Sequence, residues 1–133
     1  MLYQGDNPAM RRLSIALVVI GVSFFGLPIV VELLPSLFRW STPAVNMADE
    51  HMIVSMYYAM AICFVMAAKN PLRNAIIIDY AIISSILHAT VMAYYAVTLD
   101  GEMAHMWGDV PFLYALGIGL AIYHPRRLAR AAA

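Results

Sequence analysis

The chain has 133 residues, of which 63% are hydrophobic and 12% charged, with no net formal charge. A soluble domain of this size needs far more charge to cover its surface. The balance also excludes a basic footprint for nucleic acid, and the lone cysteine, Cys63, excludes an intrachain disulfide.

Four apolar segments follow in order, over about 13–34, 50–68, 72–99 and 108–124. A helix needs roughly 20 residues to cross the hydrocarbon core. The first and third segments meet that length, the second does so with its ends, and the fourth is short. None alternates as a barrel strand does. The expected fold is therefore all-α: one integral domain over 1–133, a four-transmembrane-helix up-down bundle in the lipid bilayer.

Arg11 and Arg12 precede the first apolar run as in a signal peptide. The run is too long for an h-region and no small-residue cleavage site follows, so it is expected to stay as a span. Pro28 cannot donate to the Phe24 carbonyl and predicts a bend in that helix. Glu32, near the end of the span, is expected to snorkel to the headgroups. The link over 35–49 carries Trp40 and should rest at the interface.

Glu50 opens span two, where a carboxylate complements the helix dipole, and His51 beside it is placed at the interface. "KNPLRN" joins spans two and three, with Asn70 as the expected cap and Pro71 as the first helical residue. "GDVP" opens span four, with Asp109 as the expected cap. Such short links predict that spans two to four are sequential antiparallel neighbours. In span four, Ala115 pairs with Gly119 and Gly117 with Ala121 at small-xxx-small spacing. The Ala115/Gly119 face is the expected surface for a homo-oligomer or a larger membrane complex.

Seven of the eight Lys and Arg residues fall at the N-terminus, between spans two and three, or after span four; Arg39 is the exception. The positive-inside rule then gives an N-in, C-in orientation, in a bacterial inner (cytoplasmic) membrane.

Among residues inside the spans, His88 lies too deep to snorkel. It sits nine residues inward from Val97, about 13 Å along the helix. The same count on the other spans brings Tyr58 and Gly117 to its level. His88 and Tyr58, with Glu50, His51, His105 and Asp109 toward the outer leaflet, form the candidate ligand or proton site. The plainer alternative is a core imidazole satisfied by a tyrosine or serine hydroxyl. Asp79, about two turns inside span three, is expected either to pair with Lys69, Arg73 or Arg126 or to handle a proton, the two readings carrying equal weight.

Methionine and histidine recur in "NMADEHM" and "GEMAHMWGD". Met52, Met103, His105 and Met106 make a candidate soft-metal set suited to Cu(I), against the plainer reading of methionine as a gap-filler. Haem lacks a second histidine at the depth of His88. No cofactor is therefore expected, with copper and haem as the minority readings. No nucleophile stands beside a histidine and a carboxylate in a recognisable arrangement.

The runs "YYAMAICFVMAAKNPLRN", "SSILHATVMAY" and "HMWGDVP" resemble small four-span bacterial membrane proteins of an uncharacterised family, similar in size and layout to short DoxX-like proteins. The elements that carry the resemblance are Asn70 and Pro71, then Ser84, Ser85, His88 and Met92, then His105 and the stretch 108–111. The resemblance implies no established activity. It adds weight to His88, His105 and Asp109.

The leading reading is an accessory or ligand-binding membrane protein rather than an enzyme. Its rivals are a membrane oxidoreductase subunit using quinone, haem or copper, and a structural subunit of a larger complex. Orientation is open to a direct check: reporter fusions at Asp100 and Ala133 should report opposite compartments, and a shared compartment would refute four spans.

Overall fold

The computed structural model describes residues 2–40 and 47–132, with 47–50 described by their backbone only. All regular structure among them is helical. In chain order the helices are α1 (Pro8–Phe25), α2 (Leu27–Leu33), α3 (Pro35–Phe38), α4 (Met47–Ala68) and α5 (Ala75–Thr98). A 3-10 turn (Met103–Trp107), α6 (Asp109–Ile122) and α7 (Pro125–Arg130) complete the chain. Four stretches are long and apolar enough to cross a membrane: Pro8–Phe25, His51–Ala68, Ala75–Thr98 and Met103–Arg130.

Local sequence explains the boundaries. Asn7 caps α1, its side chain accepting from the amides of Ala9 and Met10, with Pro8 in the first turn. The first span breaks at Gly26, just before Pro28, so the expected bend is a full interruption. Span three starts later than expected. Residues 71–74 form turns, and Asn70 accepts from the Arg73 amide within them, so the helix proper begins at Ala75. Nor does Asp109 cap α6. The cap position belongs to Gly108, which has no side chain, and Asp109 is the first residue of the helix.

The helices run up and down, but not as one ring of sequential neighbours. The main packing is α1 against α4 and α5 against α6, while α4 and α5 meet only sparsely. The α1–α4 pair is tight because Gly21 is buried there: a Cβ on it would come within 2.8 Å of the Ala61 carbonyl oxygen. Leu17, Phe24, Ala61, Phe64 and Ala68 fill the seam. Ser14, fully buried in it, donates to the Ala68 carbonyl at 2.6 Å and accepts from the Tyr3 amide at 3.0 Å. Its polar atom is thereby satisfied inside an apolar core.

The α5–α6 pair uses Gly117 in the same way. A Cβ there would lie 2.9 Å from Ile86 Cγ1 and 3.3 Å from the Ile82 carbonyl. Gly119 meets nothing within 4 Å, and Ala115 is exposed, so that small-residue face points away from the bundle. Of the two glycines that the small-residue spacing of span four singles out, one, Gly117, faces the seam inside the bundle.

Near the termini, Asp79 binds His124 Nε2 at 2.9 Å and Arg126 Nη1 at 2.8 Å. Arg126 was among the expected partners, and His124 joins it while also capping α7. At the opposite end Glu32 is bound by Arg39 at 2.6 Å rather than left to snorkel alone.

The two close approaches separate the glycines experimentally. Gly21→Leu should destabilise the folded protein by about 1–3 kcal/mol, because backbone blocks the new side chain. Gly119→Leu should leave it within about 0.5 kcal/mol. Thermal melts in detergent check this, and equal losses would contradict the packing described.

A cleft and a buried imidazole

Because α4 and α5 scarcely touch, space remains between the two helix pairs. It takes the form of two cavities. One, of about 530 Å³, extends toward the termini and is lined by residues including Met60, Cys63, Phe64, Ile77 and Ser84. The other, of about 380 Å³, extends toward the far end, against residues including Val31, Trp40, Tyr95, Asp109 and Phe112. Ile53, Tyr57, His88 and Leu113 line both. His88 therefore stands at the waist of a mostly apolar cleft. Neither leucine nor phenylalanine fills the space beside it.

The tyrosine beside it is Tyr57. The two rings stack with centroids 6.2 Å apart and planes at 29°. The depth count pointed to Tyr58, but the next residue along a helix is turned by about 100°. Tyr58 stacks on Phe25 at 5.4 Å instead. Tyr57 lies one turn from buried Ala61, at the margin between the α1 seam and the cleft, where its ring also meets Phe24 edge-on at 5.4 Å. The expected glycine neighbour is displaced too. Gly117 packs on Ser85, one turn below His88, so the room comes from the gap between α4 and α5 and not from missing side chains on α6.

A second polar group lies at the far end. His105, 1% exposed, takes the Asp109 carboxylate on Nδ1, at 2.9 Å to Oδ2 and 3.1 Å to Oδ1. Its Nε2 faces Glu102 Oε2 at 3.4 Å without a hydrogen bond. Trp40 stacks on the imidazole at 4.1 Å, with planes 13° apart. The sequence places Glu102, His105 and Asp109 at i, i+3 and i+7, one face of a helix-like turn, and that spacing was the available signal for Glu102. Nothing local foretold Trp40, which arrives from the link after α3. α3, just before it, is held by Gly108, whose missing side chain admits the Leu37 backbone.

The remaining candidates are placed as follows. His51 is exposed on α4, and the side chain of Glu50 lies outside the described residues. Met52 and Met103 are exposed and Met106 half-buried. Since His105 directs both ring nitrogens to its own carboxylates, neither is presented to those thioethers. Among the described residues no three His, Cys, Asp or Glu side chains are disposed to hold a metal ion. The structure thus joins His105 to Asp109, and through the far cavity sets Asp109 facing the same space as His88.

Fold and cleft together define a small all-helical protein with four membrane-length helices and a polar waist between two helix pairs. The chain belongs to a family of unknown function, DUF6632, whose pattern spans residues 7–132. No curated protein and no solved structure matches it.

The buried cluster carries a stability prediction. His105→Ala leaves two carboxylates facing each other across a vacated site and should cost about 3–5 kcal/mol. Met103→Ala, at an exposed position, should change stability by less than about 0.5 kcal/mol. Denaturant unfolding in detergent checks the contrast, and comparable effects would mean that His105 is not bound as described.

Proposed function

We propose that this protein is a small ligand-binding or accessory protein of a bacterial inner membrane, with both termini in the cytoplasm. The observation that carries the reading is His88 and Tyr57 at the waist shared by both cavities. Apolar concave walls with a few convergent polar groups are the usual form of a small-molecule site. An ionisable ring in a membrane-length helix is costly unless it faces such a space. The ligand is a lipid-soluble molecule whose chain lies against Met60, Phe64 and Ile77 and whose polar part meets His88 and Tyr57.

Orientation rests on the basic residues: all but Arg39 fall at the end that holds the termini. One rival keeps the same cleft. The aromatic walls contributed by Tyr57, Tyr95 and Phe112 also suit the flat ring of a quinone, as in a subunit of a membrane oxidoreductase. The outward face of Ala115 and Gly119 is where a second copy or a larger complex would pack.

Ser84→Phe places a ring in the larger cavity from a half-buried position and tests the site. Wild-type protein, extracted with organic solvent after purification, should release a near-stoichiometric lipid-soluble molecule by mass spectrometry. Ser84→Phe should release far less while keeping its helical circular dichroism. Undiminished recovery from the variant would remove the cleft as the binding site.

A further inference from the structure

The far cavity has a charge character that the larger cavity lacks. Six of the eight acidic residues lie at that end of the bundle: Glu32, Asp49, Glu50, Asp100, Glu102 and Asp109. Arg39 is the only Lys or Arg there, and its guanidinium is bound to Glu32. The end as a whole therefore presents a negative field, and a field of one sign raises the local concentration of the opposite ion.

Asp109 brings that field to the cleft. Its carboxylate is oriented by His105 and lines the far cavity together with the aromatic side chains Trp40, Tyr57, Tyr95 and Phe112, and with Arg39, whose charge is matched by Glu32. Aromatic faces attract cations through the ring quadrupole, and more strongly where water is excluded. A carboxylate beside several aromatic rings in an apolar pocket complements an organic cation. With Arg39 neutralised by Glu32, the unmatched charge left to the cavity is that carboxylate, which favours a cationic head over an anionic or neutral one. The second cavity, continuing past His88 and Tyr57, is lined by apolar side chains and gives room for a tail.

We propose that the far cavity takes the positively charged head of a lipophilic organic cation, a quaternary ammonium or protonated amine. Asp109 and the aromatic walls hold the head, and the apolar tail lies in the adjoining cavity. This rests on the reading of the cleft as a ligand site and names the class of its ligand. His105 acts as a positioning residue, turning the Asp109 carboxylate, and Trp40 both covers His105 and forms part of the wall.

The test compares three probes with one tail and different heads: dodecyltrimethylammonium, dodecanol and dodecyl sulfate. Each is radiolabelled and bound to the full chain in phosphatidylcholine nanodiscs, with empty nanodiscs as the baseline. The cation should bind saturably above that baseline, and the alcohol and sulfate should only partition into lipid. Asp109→Asn should weaken cation binding by about tenfold or more. Tyr95→Leu changes a wall residue that is 46% exposed and stands apart from the buried cluster, so it keeps the fold. It should weaken the cation by about threefold. Equal saturable binding of cation and alcohol, indifferent to both variants, would overturn the cationic assignment and leave the cleft as a site for neutral ligands. Preference for the sulfate would overturn it as well. Saturable binding of none of the three would remove the cationic assignment and the ligand-site reading together.

Discussion

Two close backbone approaches, Gly21 onto Ala61 and Gly117 onto Ile82, decide which helices touch in this bundle. In lipid there is no hydrophobic force to gather helices, so association follows wherever side chains can be dispensed with. Each glycine joins one pair, and no comparable approach joins α4 to α5. A four-helix protein built this way is two pairs side by side. The space between them is a direct result of where the glycines stand, and the polar waist at His88 exists because α5 turns that residue toward the space.

The ends of the bundle differ in how they manage polar atoms. Near the termini, Asp79 is shared by His124 and Arg126, and Ser14 ties the Tyr3 amide to the end of α4. At the far end two carboxylates converge on one imidazole that a tryptophan covers. The first arrangement matches acid with base and closes the fold. The second concentrates acid beside a cavity, which is a poor way to stabilise a protein and a reasonable way to shape a site.

Much of the fold was legible because its signal is compositional. Apolar runs of membrane length and the proline at the first break are readable along one dimension. Pairing was not legible, since α4 joins α5 through a tight turn and yet packs on α1. Short links suggest adjacency, but contact was set by Gly21, a residue that looks generic in the sequence. The candidate site was half legible. Depth pointed to His88 and to Tyr58, while the angular position that puts Tyr57 beside the imidazole instead depends on how α4 is rotated against α1. Asp109 read as a cap because its neighbours suit one, and the buried imidazole four residues earlier in the chain took the carboxylate instead.

The contact of Gly108 with the Leu37 backbone has a consequence for access. With no side chain between them, the turn before α6 and α3 meet at the main-chain level, and Trp40 on His105 adds a second contact at that end. Opening the cleft toward water at that end means separating both contacts. Opening it sideways needs only the sparse α4–α5 boundary to part. A molecule using this cleft would therefore enter from within the bilayer. Its rate of arrival would then follow its abundance in the membrane and not its concentration in the surrounding water.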